Sequence, residues 1–74
     1  MQEKLLILRS KHGYSIKFVA DYLGLSSKQY REKEKGNYAF DSDEMFKLST
    51  LFNERLENIF LPRSNQNGDK EGVN

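Results

Sequence analysis

The stretch from residue 15 to residue 36, SIKFVADYLGLSSKQYREKEKG, decides the fold of this 74-residue chain. Ser15 suits the N-cap of a helix, because its hydroxyl can accept from a first-turn amide. Ile16, Val19, Ala20 and Leu23 then recur at spacings of three and four, the narrow apolar stripe of an amphipathic helix. Gly24 ends that helix. Only Gly24, Leu25 and Ser26 separate it from the next, which Ser26 caps and Gly36 terminates. A three-residue connection led by glycine permits a sharp reversal without a Cβ clash.

Two helices so joined make a helix-turn-helix. Upstream, a helix is predicted over residues 2–11, with Leu5, Leu8 and His12 as its inward stripe and Gly13 as its stop. Downstream, Asn37-Tyr38-Ala39-Phe40 form a short loop, and Asp41 with Glu44 opens a fourth helix as a capping-box pair. Met45, Leu48, Leu51 and Phe52 mark its buried face, and Asn53 stops it. Leu56, Ile59 and Phe60 describe one more short helix, closed by Pro62. From Arg63 the chain reads RSNQNGDKEGVN, a polar run with two glycines and one aliphatic residue. The expectation is all-α: a bundle of about five short helices over residues 1–61, then a disordered tail over 62–74. No internal repeat is present.

Length allows one domain, and a chain this short buries only about 60% of its unfolded surface. With no cysteine, five phenylalanines and four tyrosines must supply much of the core. The longest N-terminal apolar run, Leu5-Leu6-Ile7-Leu8, is too short for an export signal or a membrane span, so the cytoplasm is the expected location. The net charge is only +1, but residues 1–38 carry eight Lys/Arg against four Asp/Glu, and residues 39–74 carry four against seven. A basic half suits a phosphate-facing side; scatter over an ordinary charged surface is the alternative. Enzyme chemistry finds little support. His12 is the single histidine and no cysteine supplements it, so a metal site is not expected. No Gly-rich phosphate loop and no paired-carboxylate cleft is visible, and no cofactor is expected. Asp41, Asp43 and Glu44 read as helix capping rather than a Ca²⁺ cluster.

On a wheel of the third helix, Ser27, Lys28, Arg31, Glu32 and Lys35 share an arc of roughly 140°, while Tyr30 points to the core. Base edges offer donors, acceptors and thymine methyls, and the flanking phosphates demand cations, so this arc meets the needs of a helix in the major groove. A merely solvated face would be polar too.

The order of these elements resembles the phage repressor and Cro-like helix-turn-helix family, also called the XRE family. The matching residues are Leu5, Leu8, Arg9, Gly13, Ser15, Val19-Ala20, Leu23-Gly24-Leu25-Ser26, Tyr30, Glu34-Lys35-Gly36, Phe40, Glu44, Leu48, Leu51-Phe52 and Ile59-Phe60. The resemblance implies a lambda-repressor-like fold and base reading by Ser27, Lys28 and Glu32, which Arg31 joins on the same arc. It also implies an ion pair of Arg9 with Glu34 bracing the first helix against the third. Phosphate contacts are expected from Ser15 and the free amides it precedes, and from Lys17, Lys35, Asn37 and Tyr38. The implied partner is a double-stranded operator, bound by a homodimer formed through the last helix. Lys28 and Arg31 suit guanine acceptors and Glu32 a cytosine amino group, which favours a G·C-containing half-site.

This chain departs from the family pattern at several points. Ile16 stands where the family usually has a DNA-contacting glutamine, and either joins the core or meets a thymine methyl. Lys33 occupies a usually apolar position and must snorkel past the core edge. Glu54 and Arg55 replace a small apolar residue and a cap, so the last helix should be short. Leu6, Ile7, Phe18 and Tyr22 fall at surface positions and are a candidate partner surface, unless they pack locally against Tyr14, Tyr38 or the first helix. That patch sustains a second expectation: an antirepressor or repressor modulator that binds another regulator protein. The antitoxin half of a toxin–antitoxin pair is a third.

Overall fold

A computed structural model of the chain describes residues 2–60, which form α1 (Glu3–His12), α2 (Ile16–Leu23), α3 (Ser27–Lys35), α4 (Ser42–Phe52) and α5 (Leu56–Phe60). The described residues are all-helical. The expected tail over 62–74, and the stop at Pro62, lie outside them.

Local chemistry sets the helix ends. Ser15 Oγ accepts from the Phe18 amide at 3.0 Å. Ser26 and Gln29 form a complete capping box, as do Asp41 and Glu44. At the C-terminal ends of α1 to α4 the chain turns through left-handed backbone, and each following residue donates back to the last helical turn. Gly24 carries φ +75°, and a Cβ there would meet nothing within 4 Å. The turn therefore needs glycine for its backbone torsion rather than for space. Asn53, φ 51°, performs the same reversal between α4 and α5.

The core gathers Leu5 and Leu8 of α1, Val19, Ala20 and Leu23 of α2, Tyr30 of α3, Phe40, Leu48 and Phe52, and Ile59 of α5. α2 packs on α3, and α1 lies against α4 and α5. The Phe40 ring sits 6.0 Å from Tyr30 and 5.6 Å from Phe60, which ties the loop after α3 to α5. Ile16 packs at the edge of this cluster. Leu6 is half-buried.

His12 departs from its expected inward place. It is exposed on the rim, its ring 5.3 Å from Tyr14 and 5.1 Å from Phe52. Nδ1 lies 2.9 Å from the Leu8 carbonyl, so that nitrogen carries the proton and donates. An imidazole has a second polar nitrogen, which the apolar core would leave unpaired. The rim keeps it in water.

Candidate nucleic-acid interface

α3 has two chemically distinct sides. Tyr30 and Glu34 are buried, four residues apart, and face the rest of the bundle. Lys28, Arg31 and Lys35 are exposed on the other side, with Ser27 and Glu32 half-buried at its margins. Among the described residues none of these three cations has a carboxylate within 4.0 Å. α3 is about 10–12 Å across with side chains, close to the roughly 12 Å width of a B-form major groove. The exposed side is thus a row of free cations and polar groups on a rod of suitable girth.

The inward side is held by a polar network. Arg9 Nε donates to Glu34 Oε2 at 2.9 Å and Nη2 to Oε1 at 3.4 Å, and Tyr30 donates to Oε2 at 2.9 Å. Arg9 Nη1 also donates to the Tyr14 carbonyl at 3.1 Å, and the Gln2 amide to the Glu34 carbonyl at 3.0 Å. The side chains of Arg9 and Glu34 are 17% and 8% exposed, so this pair works in a low-dielectric setting. The hydrogen bond to Glu34 holds the Arg9 guanidinium above its ordinary pKa. Burial, then the neighbouring Glu34 charge, push the Tyr30 phenol well above its usual range. The network fixes the axial rotation of α3, and so aims its exposed side.

A second pair, which sequence reasoning missed, completes the bracing. Lys33 Nζ lies 2.6 Å from Glu44 Oε1, with side chains 19% and 10% exposed, and 5.9 Å from the Phe40 ring centre. Lys33 does not simply snorkel to water. It reaches the carboxylate that also accepts from the Asp41 amide at 3.0 Å. The signal lay in the capping box: an N3 glutamate bound to its own N-cap keeps lone pairs for a nearby lysine.

Ser15, Lys17, Lys35, Asn37 and Tyr38 are all exposed, as phosphate contacts require. Ser15 Oγ already caps α2, and Lys17 is shared with Asp21 at 3.1 Å on an open helix face, a contact that screening weakens. Asn37 Nδ2 donates to Glu32 Oε1 at 2.7 Å, so two residues expected to act separately meet each other. Leu25, Lys28, Gln29, Glu32, Lys33, Tyr38 and Ala39 line an open groove of about 550 Å³ alongside α3.

Of the candidate partner surface, Ile7 is 54%, Phe18 47% and Tyr22 38% exposed, whereas half-buried Leu6 contributes less. Phe18 packs on Tyr14 at 4.7 Å between ring centres and still keeps half its surface in water. Phe46 of α4 is 63% exposed, which the four-residue periodicity of that helix did not single out.

Comparison with known proteins agrees with this geometry at a coarse level. Fifty-four residues are 41% identical to a protein of Thermococcus kodakarensis, 39% to one of Pyrococcus horikoshii and 37% to one of Pyrococcus abyssi. Each is provisionally named an HTH-type transcriptional regulatory protein. The chain is similar to one segment of these regulators. The match covers 73% of this chain but only 17% of each relative. No family model and no solved structure matches. Among the described residues no helix is long and apolar enough to cross a membrane.

Proposed function

We propose that this chain is a DNA-binding module of a transcriptional regulator, with α3 in the major groove of double-stranded DNA. The observation that carries the reading is the division of charge on α3. Lys33, the α3 cation that faces the bundle, is bound to the buried Glu44 carboxylate, and Lys28, Arg31 and Lys35, facing outward, are free among the described residues. Lys28, Arg31, Ser27 and Glu32 take base edges, while Ser15, Lys17, Lys35 and Tyr38 take phosphates. The names of the relatives support regulation of transcription, and the order of motifs supports a repressor or Cro-like type. Such a module acts as a dimer, two α3 helices entering successive grooves about 34–36 Å apart on a pseudo-palindromic site.

The test is binding to a fluorescent duplex pool across a salt series, followed by selection of bound sequences. Affinity that falls steeply with salt, with one motif enriched, supports the reading. Salt-independent or absent binding refutes it.

Exposure of Ile7, Phe18 and Tyr22 favours a second reading, a module that binds another regulator through this patch. Phe18→Ser with Tyr22→Ser then abolishes that association. Under the first reading the same double variant leaves affinity for DNA intact.

A further inference from the structure

Glu32 is the one acid on the outward arc of α3, and beside phosphates an acid is electrostatically unwelcome. Its natural partner is Lys28, one turn earlier and on the same face. Yet no Lys28–Glu32 ion pair forms; Glu32 Oε1 instead accepts from Asn37 Nδ2 at 2.7 Å. The end of α3 delivers Asn37 to that place. Gly36 reverses the chain, and the Asn37 amide donates to the Glu32 carbonyl at 3.0 Å. Backbone and side chain thus grip the same residue. Glu32 Oε2 keeps its lone pairs among the described residues, and Glu32 lines the open groove with Lys28, Gln29 and Tyr38.

We infer that Asn37 is a positioning residue, holding the Glu32 carboxylate off Lys28 so that Glu32 reads the exocyclic amino group of a cytosine or adenine. The inference rests on the DNA-binding reading above. An ionised carboxylate only accepts hydrogen bonds, and in the major groove only cytosine N4 and adenine N6 donate them. Guanine O6 and N7 and thymine O4 are acceptors, which Glu32 repels. Lys28, kept free, addresses those acceptors on a neighbouring base. A separate donor and a separate acceptor, one turn apart, carry more sequence information than a self-neutralised pair. Asn37 is accordingly withdrawn from phosphate binding.

The experiment is selection from a randomised duplex pool by the full chain and by its Asn37→Ala and Glu32→Gln variants. Affinity is then measured for the selected duplex, for single-position substitutions of it and for random duplex, together with melting temperature. The wild-type chain should prefer an amino-bearing base at one position of the site by about tenfold. Asn37→Ala should reduce that preference to about twofold or less, with melting temperature and random-duplex affinity unchanged. Glu32→Gln should also lose the preference and bind random duplex more tightly, because a repulsive charge is gone. If Asn37→Ala keeps the preference and weakens every duplex alike, Asn37 contacts phosphate and the inference falls alone. If the wild-type chain enriches no sequence, the DNA reading falls and takes the inference with it.

Discussion

Removing the Glu34 carboxylate should take away a large share of the stability of this domain. Three hydrogen bonds converge on its carboxylate, at 2.9 and 3.4 Å from Arg9 and 2.9 Å from the Tyr30 hydroxyl. Removing one partner of a buried pair costs about 3–5 kcal/mol, against about 0–1 kcal/mol for an exposed pair. Arg9 retains its bond to the Tyr14 carbonyl and an edge 17% open to water, so Glu34→Ala belongs near about 3 kcal/mol, the lower end of the buried range. A domain of this size has a total stability of roughly 3–9 kcal/mol at 0.05–0.15 per residue. The alanine variant would therefore reach its unfolding midpoint at room temperature if the domain lies at the lower end of that range, and would keep up to about 6 kcal/mol at the upper end. Glu34→Gln is more informative, since it keeps the volume and one acceptor, and it should cost about 2 kcal/mol. Urea denaturation at pH 7 measures both. A double-mutant cycle with Arg9→Met should return a coupling of at least about 1 kcal/mol. A glutamine variant within about 0.5 kcal/mol of wild type, or additive single variants, would mean that water screens the pair and that α3 is aimed by something else.

Three further outcomes are expected. Lys28→Ala should cost about 1–3 kcal/mol on a selected site and relax one or two base positions, whereas Lys35→Ala should weaken all duplexes alike and flatten the salt slope by about one; identical behaviour of the two would refute the division of roles. Gly24→Ala should cost about 1 kcal/mol through its positive φ alone, lowering the melting temperature by about 4–8 °C, and Gly24→Asn should cost less. For alkaline stability the sign follows from Tyr30, whose folded pKa is raised. Its contribution is intact below the unfolded phenol value of about 10 and falls by about 1.4 kcal/mol per pH unit above it. Tyr30→Phe should remove that extra alkaline slope in urea midpoints between about pH 9 and 11; parallel slopes for the two proteins would place the phenol in water.

Helix boundaries were legible in this sequence because their signals are local. Ser15, Ser26, Asp41, Gly24, Gly36 and Asn53 each act within one turn, and the structure uses every one as a cap or stop. The Ser26–Gln29 capping box was equally local, yet only its serine was read. Long-range polar pairs were harder. Arg9 and Glu34 are 25 residues apart, and only a resemblance to known proteins suggested their meeting. Nothing in residue spacing joins Lys33 to Glu44 across the loop. Periodicity also misplaced His12, because a wheel gives an angle and takes no account of where α1 outruns the core.

The charge asymmetry between the halves of the chain is a weaker guide than the pairing. Of the cations before residue 38, Arg9 and Lys33 are consumed by Glu34 and Glu44, and Lys17 is shared with Asp21. Two of those carboxylates belong to one half and one to the other, so the formal excess counts charges that never reach a ligand. The cations that remain free on α3, Lys28, Arg31 and Lys35, lie roughly 60–120° around the helix from the buried Glu34, on its solvent side. One helix thus commits Glu34 and Lys33 to rigidity and keeps Lys28, Arg31 and Lys35 on the solvent side. Exchanging Glu34 for an apolar residue of like volume, with Arg9→Met and with Tyr30→Phe so that no buried hydroxyl is left unpaired, should preserve stability. It would not alter the outward row, so DNA affinity should survive in that triple variant, whereas the single Glu34→Ala variant is strongly destabilised. Aim and affinity are separable here because they use different side chains of α3, one set buried and the other open to solvent.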